Sequence, residues 1–322
     1  MNFLIDAQNI SKHYPSQKKG IFALNNLSLQ VKPGQLYGLL GPDGAGKTTT
    51  LRILATTLTA TEGMATVSGY DIKKQKEKIR RHIGYMPQNF SLYPDLTVRE
   101  NMTFFADINE VGINDREQRI KEMLSFTRLE PFQTRKAQNL SGGMKKKLAL
   151  ACSLMHGPNI LMLDEPSTGV DPVSRRELWL ILSRVVQNGV SVLVSTPYMD
   201  EAERCSEVAV LYEGKLLAQG NPQVLESELP FDVVEYKVQP RKTMYNTVEE
   251  LPGMLNFRPI GDRLRLSVEN AHKTIRLLKW RLTKQRKQPQ ILRKAKLTME
   301  DVFMSLMYAR QEPAPVRIEK KK

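Results

Sequence analysis

The sequence predicts an α/β fold in which short buried parallel strands alternate with helices, followed by a smaller α+β region. Three apolar runs support this prediction: Leu36–Leu40, Ile160–Leu163 and Val190–Val194. Each run is followed by polar or turn residues, and helix-compatible segments lie between the runs. Continuous apolar runs of this length are typical of strands that are buried on both faces of a parallel sheet.

Residues 91–139 have a helical pattern inside this α/β region. Thr97 and Glu100 have the spacing of a capping box, which predicts that a helix begins there. Three apolar residues then recur at helical spacing: Val98, Met102 and Phe105.

A second helix is predicted from Asn114, because Glu117 follows it at capping-box distance. One side of this helix is expected to be buried, and it carries Ile120, Met123, Leu124 and Thr127. We therefore predict a helical subdomain over residues 91–139, within a large domain that covers residues 1–229.

The pattern changes at a boundary near residues 228–231. Beyond it come short strand-like pieces, a basic segment and a last helix: Asp232–Val238, Arg263–Val268, Ala271–Arg286 and Met299–Ala309. These segments predict a small α+β accessory domain over residues 230–310. Residues 311–322 contain two prolines and end in three lysines, and we predict that they are disordered.

The formal net charge is +14, and it is unevenly distributed. From residue 231 onward there are 21 Lys+Arg against 10 Asp+Glu. Such a surplus favours either anionic lipid or nucleic acid as a partner, or belongs to a solvated face and a disordered tail. The sequence contains no apolar run of 18 or more residues, and its start lacks the pattern of a secretory signal, so we expect neither a transmembrane helix nor such a signal. Cys152 and Cys205 stand in no metal-binding motif.

A glycine-rich turn follows Leu36–Leu40 and precedes a helix-compatible stretch. It fits the pattern G-x-x-x-x-G-K-[ST] and consists of Gly41, Pro42, Asp43, Gly44, Ala45, Gly46, Lys47 and Thr48. The glycines let backbone N–H groups face a polyphosphate, and the following helix N-terminus adds a favourable dipole. We expect Lys47 to reach the β- and γ-phosphates of a nucleotide and Thr48 to hold Mg²⁺.

The apolar run Ile160–Leu163 ends in two carboxylates, Asp164 and Glu165. A buried strand delivers such residues at its C-terminal edge, where α/β folds bind ligands. We expect Asp164 to hold Mg²⁺, directly or through water, and Glu165 to orient and deprotonate an attacking water. The signal is weak alone, but it becomes strong because a P-loop precedes it.

The segment Leu140–Met144 narrows the choice among P-loop proteins. Ser141 is followed by Gly142 and Gly143, which open a helix predicted over Lys145–Met155. This is a second helix start that can bind an anion. Two such starts in one chain predict a sandwich dimer, in which each ATP lies between the P-loop of one subunit and this segment of the other.

Taken in order, these segments resemble the ATP-binding cassette of ABC transporters over roughly residues 1–229. The resemblance rests on the P-loop, Gln88, the Leu-Ser-Gly-Gly signature at Leu140–Gly143, Asp164-Glu165 and Ser167–Asp171. The signature is specific to this superfamily. The resemblance implies a P-loop NTPase fold of the ABC cassette type with a helical subdomain, ATP and Mg²⁺ as cofactors, and ATP hydrolysis as the activity.

The same resemblance implies roles for residues that composition and spacing alone leave unassigned. Tyr14 would stack on adenine, and Thr49 would join the P-loop contacts to the nucleotide. Gln88 would contact Mg²⁺ or water and sense the permease, while Ser167–Asp171 would couple the two ATP sites across the dimer. Residues 91–139 would dock on the membrane subunits.

A closer similarity is to bacterial drug-export cassettes, above all to the N-terminal cassette of tandem proteins that fuse two ATPases. It rests on Gly41–Thr49, Gly84–Gln88 and Val170–Trp179, and Leu297–Phe303 is similar to the C-terminal appendage of exporter ATPases. It implies a subunit bound peripherally at the cytoplasmic face of the inner (plasma) membrane. The implied partners are integral-membrane permease subunits, a second cassette in a heterodimer or a homodimer, and a periplasmic adaptor.

One departure from the family pattern concerns the switch motif. In the segment Ser195–Ala202, Pro197 stands where the family carries a histidine. Proline has neither a side-chain donor nor a backbone N–H, so it cannot contact a γ-phosphate. Either Thr196 or a water takes over this contact, or the chain's own ATP site is weakened, and we expect the weakened site.

Two other functions are compatible with the sequence. A soluble ABC ATPase of translation or DNA repair is favoured by the basic C-terminal region alone, and such proteins generally have two cassettes or long coiled-coil insertions. We therefore do not expect nucleic acid as a partner. A non-catalytic regulatory cassette is the other alternative, although the chain retains Lys47, Asp164 and Glu165.

Overall fold

The computed structural model describes residues 3–15, 20–89 and 92–309. It divides the chain into two compact units, Met1–Pro222 and Gln223–Lys322. The sequence prediction placed the boundary at residue 229, slightly later than this division. The tail predicted to be disordered, residues 311–322, lies outside the described residues.

The described strands of the first unit form two sheets. In chain order they are β1 (Ile5–Tyr14), β2 (Ile21–Val31), β3 (Leu36–Leu40), β4 (Glu62–Val67), β5 (Tyr70–Asp71), β6 (Ile83–Met86), β7 (Ile160–Asp164), β8 (Ser191–Thr196), β9 (Glu207–Tyr212) and β10 (Lys215–Gly220). The antiparallel sheet has the order β2-β1-β4-β5, and the larger sheet has the order β10-β9-β3-β8-β7-β6. In the larger sheet only β10 runs antiparallel among the described strands.

The three apolar runs of the sequence become β3, β7 and β8, which confirms the predicted buried parallel strands. Every residue of these strands is buried. β8 lies between β3 and β7, so the C-terminal ends of all three strands meet at one edge of the sheet. Whatever follows each strand is therefore brought together there.

Helices pack around these sheets in the first unit. In the described residues they are α1 (Lys47–Leu54), α2 (Lys76–His82), α3 (Val98–Ile108), α4 (Ile113–Thr127), α5 (Gly142–Leu154), α6 (Pro172–Gln187) and α7 (Met199–Ala202), with 3₁₀ turns at Glu130–Phe132 and Ala137–Asn139. One core joins the two sheets and α1 through side chains such as Leu29, Leu39, Leu51 and Met162. No helix in the described part of the chain is long and apolar enough to cross a membrane.

The helical segment begins as the sequence predicts. Thr97 and Glu100 form a complete capping box, with Glu100 N–H donating to Thr97 Oγ1 at 3.1 Å and Thr97 N–H donating to Glu100 Oε2 at 2.7 Å. The second helix starts earlier than predicted, because Gly112 is its N-cap and Asn114 falls inside its first turn. Its predicted buried side is confirmed: Ile120, Met123, Leu124 and Thr127.

The second unit has a topology that the sequence prediction did not anticipate. Its elements are α8 (Pro222–Ser227), which starts at the division, β11 (Asp232–Lys237), α9 (Arg241–Val248), β12 (Met254–Ile260), β13 (Arg263–Val268), α10 (Ala271–Lys284), β14 (Ile291–Ala295) and α11 (Met299–Tyr308). The sheet is antiparallel, in the order β12-β13-β11-β14. From β11 to β14 the connectivity is βαββαβ, the arrangement of ferredoxin-like folds.

Both faces of this second sheet are covered. Alternate residues of β11 and β13 form one core with α9 and α10: Val234, Tyr236, Leu264, Leu266, Leu278 and Leu282. On the opposite face Asp301 of α11 accepts hydrogen bonds from Arg265 and Arg258. Part of the basic surplus is therefore neutralised inside the unit.

Candidate functional site

The P-loop connects β3 to α1 in a conformation that requires glycine at its end. Gly46 is the N-cap of α1, with φ of 103°. A Cβ atom at Gly46 would lie 2.8 Å from the carbonyl oxygen of Ala23 and 2.7 Å from Cδ2 of Leu24. Because β2 packs this closely and the backbone is left-handed, only glycine can be accommodated at this position.

Lys47 lies at the first position of α1 and is only 4% exposed. Its Nζ donates to the carbonyl oxygens of Gly41 at 2.8 Å and Pro42 at 3.0 Å. The same atom lies 3.1 Å from Oε1 of Glu165. The P-loop lysine is therefore held beside the predicted catalytic carboxylate.

Asp164, at the end of β7, has one carboxylate oxygen bonded and the other without a partner. Its Oδ1 accepts from Thr48 Oγ1 at 3.1 Å and from Ser195 Oγ at 2.6 Å. Its Oδ2 is buried and has no hydrogen-bond partner among the described residues. An unpaired buried carboxylate oxygen beside a threonine hydroxyl fits a hard divalent cation such as Mg²⁺.

Glu165 is surrounded by groups that fix its carboxylate. Its Oε2 accepts from Gln88 Nε2 at 3.1 Å and from Thr168 Oγ1 at 3.3 Å, and Lys47 lies at the other oxygen. The backbone of Glu165 is left-handed, with φ of 47°, a conformation that costs a non-glycine residue about 1–3 kcal/mol. The structure thus brings together Lys47, Gln88 and Glu165, the three residues expected to act in catalysis.

Ser195 is a site residue to which the sequence analysis assigned no role. It pairs with Asp164 across β7 and β8. Its hydroxyl donates to Asp164 and accepts from the N–H of Glu165 at 3.0 Å. A hydroxyl residue at the end of a buried strand was the available signal, but the register between two strands cannot be obtained from one strand.

Tyr14, the expected adenine partner, is the last residue of β1 and is 43% exposed. It pairs with Ile21, two residues before Ala23, which packs against the P-loop. This end of the hairpin therefore borders the P-loop. Nζ of Lys12 lies 5.1 Å from the centroid of the Tyr14 ring. Because the ring is exposed, a flat ligand ring can stack on it.

The signature helix begins earlier than predicted. Ser141 is the N-cap of α5, its Oγ accepts from the N–H of Met144 at 3.2 Å, and Gly142 and Gly143 form the first turn. The prediction that the helix starts at Lys145 was wrong, because this cap lets helical hydrogen bonds begin at Ser141. Ser141 and Gly142 are exposed, so they can face another molecule.

Pro197 follows β8 and is half-buried. The hydroxyl of Thr196 donates to Glu201 Oε2 at 2.5 Å and accepts from the N–H of Tyr198 at 3.0 Å. Its hydrogen-bonding capacity is therefore used inside this loop. A role for Thr196 in place of the histidine would require these bonds to break.

Comparisons with known proteins agree with this geometry. Residues 24–168 match the model of the ABC transporter family. The chain is 46% identical over 222 residues to the probable multidrug ABC transporter ATP-binding protein YbhF of Escherichia coli, covering 69% of this chain and 38% of that protein. It is 39% identical over 233 residues to the Nod factor export ATP-binding protein I of Burkholderia orbicola, covering 72% of this chain and 75% of that protein.

This chain belongs to the family of ABC transporter ATP-binding proteins. It is similar to the ATP-binding cassette MJ0796, solved as a dimer in a post-hydrolysis state with ADP and Pi bound, with TM-score 0.63 and 28% identity over 67% of this chain and 98% of that chain. It also has the fold of cbiO1 from Clostridium perfringens, with TM-score 0.64 and 24% identity over 78% of this chain and 97% of that chain. These similarities confirm the predicted cassette fold.

Proposed function

We propose that this chain binds and hydrolyses Mg-ATP as the cassette subunit of an ABC exporter. The observation that carries the proposal is the convergence of Lys47, Asp164 and Glu165 at one edge of the larger sheet. The names of its relatives, a probable multidrug transporter component and a Nod factor export protein, support export. We further propose that the chain acts peripherally at the cytoplasmic face of the inner membrane.

The resting contacts suggest how binding prepares the site for hydrolysis. Lys47 has two carbonyl oxygens and the Glu165 carboxylate as partners. Bound phosphates would replace Glu165 as the anionic partner of Lys47 and release one oxygen of that carboxylate. Glu165, still held by Thr168, can then accept a proton from an attacking water.

The divalent cation would be held by Thr48, Asp164 and Gln88. When bound, Mg²⁺ neutralises charge on the phosphates. Ser195 keeps the bonded oxygen of Asp164 in place, so the unpaired oxygen stays available to the cation. Gln88 is bonded to Glu165 in this structure and would have to turn toward the cation to become a ligand.

A second cassette is part of the proposal. Ser141 and Gly142 are exposed at the start of α5, where their backbone and hydroxyl groups can complete the site of a partner. The relative MJ0796 was solved as a dimer. We propose a heterodimer with a complete cassette, since a homodimer would repeat the Pro197 departure in both sites.

Permease subunits are proposed to dock on the helical segment. A groove of about 260 Å³ runs between the end of α1, β6 and α3, and its lining includes Tyr85, Phe105, Ile108 and His156. Ile108 is 60% exposed at the end of α3. An exposed apolar side chain at a groove of this kind fits a protein contact.

We also propose that a periplasmic adaptor belongs to the same transport system.

Glu165→Gln tests the proposed activity. The variant keeps the size of the side chain and one acceptor oxygen but removes the base, so Mg-ATP binding by calorimetry should remain. Single-turnover hydrolysis should fall by about 10²-fold or more. Glu203→Gln changes an exposed carboxylate of the same unit and should hydrolyse ATP like the wild type. If the wild type hydrolyses ATP no faster than Glu165→Gln, the chain is a regulatory cassette.

A further inference from the structure

An ion pair between the half-buried Arg175 and the buried Glu201 holds the loop that follows β8. Glu201 of α7 is 0% exposed. Its Oε1 accepts from Nε of Arg175 at 2.6 Å, and its Oε2 accepts from Oγ1 of Thr196 at 2.5 Å. One oxygen of this carboxylate is therefore bonded to α6 and the other to the last residue of β8.

Arg175 has two more contacts with the same loop. Its Nη2 donates to both carboxylate oxygens of Asp200 at 2.9 Å. Its guanidinium also lies 4.4 Å from the ring centroid of Tyr198. The side chain thus contacts Tyr198, Asp200 and Glu201, which follow Pro197 in the chain. A planar fork with several donors is suited to such a set of partners.

The first turn of α6, which carries Arg175, also contacts the signature segment. Asp171 caps this turn by accepting from the N–H groups of Val173 and Ser174. Ser174 packs directly against Gly143, where an added Cβ would lie 2.3 Å from Ser174 Oγ. One helical turn therefore contacts both the start of α5 and the loop after β8.

The other end of the loop supports the two carboxylates of the ATP site. Ser195, next to Thr196, holds Asp164 through its hydroxyl and Glu165 through that residue's N–H. Because a peptide bond joins Thr196 to Ser195, a displacement of Thr196 would also shift the Ser195 hydroxyl that holds Asp164 and Glu165. Pro197 can donate no hydrogen bond that would hold the loop.

We infer that Arg175 is a positioning residue for ATP hydrolysis in its own chain's site. It clamps the loop of Pro197 to the first turn of α6 and so keeps Ser195 against Asp164 and Glu165. Because the loop lacks the switch histidine, that residue cannot fix the loop by contacting the nucleotide. The Arg175 clamp fixes the position of the loop instead. The inference rests on the proposed function, because it concerns the rate of the proposed hydrolysis.

The test measures two quantities on the full-length chain: the Kd for Mg-ATP by calorimetry and the single-turnover hydrolysis rate with protein in excess. Arg175→Ala should slow hydrolysis by about 10²-fold, since small misplacements of reacting groups have effects of that size. Its Kd should stay near the wild-type value, because the partners of Arg175 are Tyr198, Asp200 and Glu201, which lie outside the P-loop. Arg175→Lys should restore part of the rate, since one ammonium cannot reproduce the fork.

Arg176→Ala is the matched control. Arg176 lies in the same helical turn but is exposed, so its loss should leave both the rate and the Kd unchanged. If Arg175→Ala is too unstable to measure, the double variant Arg175→Met with Glu201→Leu is used to test the inference. It removes both charges together and leaves no buried charge without a partner, and it should also hydrolyse slowly with a normal Kd.

Two results would overturn the inference. One is a wild-type hydrolysis rate in the double variant or in Arg175→Ala. The other is a rise in Kd that matches the loss of rate, which would mean that Arg175 only supports the fold. Failure of the proposed function is a separate result that the wild type alone shows: it would not bind Mg-ATP, or would hydrolyse ATP no faster than Glu165→Gln. That failure would also remove the role inferred for Arg175.

Discussion

Nζ of Lys47 lies 3.1 Å from Oε1 of Glu165, and the two side chains are 4% and 7% exposed. A charge buried to this extent needs an opposite charge, and each of these residues supplies it to the other. Binding of a nucleotide phosphate gives Lys47 a different anionic partner. In the proposed function, this contact would therefore link nucleotide binding to the release of the carboxylate.

The first prediction concerns Lys47→Ala. Loss of the ammonium removes the P-loop's cationic contact to the phosphates, so calorimetry with Mg-ATP should detect no binding. Thermal unfolding gives an independent measurement, because a ligand at 100 times its Kd stabilises a protein by about 2.7 kcal/mol. Saturating Mg-ATP should raise the Tm of the wild type and leave that of the variant unchanged.

Lys12→Ala is the control for this variant. Lys12 is also a lysine of the first unit, but it lies beside Tyr14 rather than in the P-loop. It should bind Mg-ATP with at most a modest loss of affinity. Unchanged nucleotide affinity in Lys47→Ala would remove the P-loop assignment.

The parts of this site that the sequence predicted are those encoded in single segments. The strand β3, the P-loop and the pair Asp164-Glu165 are each contiguous, so pattern and turn chemistry predict them together. The role of Ser195 depends on the register of β8 against β7. Register arises from the packing of strands that are distant in sequence.

The second unit shows the same limit. β13 matches the predicted strand Arg263–Val268, but β12 was not predicted, because Arg258 and Pro259 interrupt its apolar pattern. Proline is tolerated in β12 because this strand is at an edge of the sheet. The segment predicted only as basic is α10, whose apolar residues Leu278 and Leu282 are buried in the core of the unit.

The second prediction places the permease contact within residues 91–139. Ile108→Glu puts a charge at the apolar groove and should reduce co-purification with the permease subunits, while Mg-ATP binding is retained. Ile113→Glu is the control, since Ile113 is 80% exposed and is not part of the groove lining. Cross-linking that joined the permeases only to residues 231–310 would contradict this placement.

The third prediction is that residues 231–322 are dispensable for nucleotide binding. All the predicted nucleotide contacts lie in the first unit, which has its own core. A chain that ends at residue 230 should bind Mg-ATP with nearly the wild-type Kd, measured by calorimetry after circular dichroism confirms folding. A folded truncation that does not bind ATP would show that the prediction is wrong.

The fourth prediction concerns Asp301, which is 4% exposed in the second unit. Burial raises the pKa of Asp301, but hydrogen bonds and charge from Arg265, with Thr298 and Arg258, outweigh it and hold the pKa below its usual range. Since the folded-state pKa is the lower one, the stabilisation is present above the unfolded-state pKa. It is lost as pH falls through the folded-state pKa.

Asp301→Asn should therefore destabilise the second unit at neutral pH. Removing one partner of a buried ion pair costs about 3–5 kcal/mol, which amide hydrogen exchange in β11 and β13 would report. The exposed Asp262, paired with Lys237, provides the control, and Asp262→Asn should change exchange little. Equal exchange in the two variants would mean that Asp301 does not hold α11 on the sheet.

The last prediction is that the protein works with a second, complete cassette and that its two ATP sites are unequal. In the cassette arrangement the switch residue acts on the ATP of its own chain, whereas the signature acts on the ATP of the partner. We therefore expect Pro197 to affect the site built on Lys47, Asp164 and Glu165. The exposed Ser141 and Gly142 remain able to complete the partner's site.

Restoring the histidine tests the local part of this prediction. Loss of one preorganised contact to developing charge costs about 10²–10³ in rate. Pro197→His should therefore raise the chain's own ATPase rate, provided that a dimer forms. The variant also introduces an N–H at position 197, so Pro197→Ala is the control and should stay slow. A Pro197→His rate no higher than that of Pro197→Ala would show that the histidine is not what the site lacks.

Mixing with the partner cassette tests the other part. A histidine-bearing partner supplies one fast site, whose ATP is completed by the signature of this chain, so turnover of the mixture should exceed that of either protein alone. Ser141→Arg in this chain places a large cation at the start of α5, where the partner's phosphate would bind, and should abolish the gain. Its own binding of Mg-ATP through the P-loop should persist, which separates a failed dimer site from a failed fold. An isolated wild-type chain that hydrolyses ATP as fast as the mixture would mean that the two sites are equal.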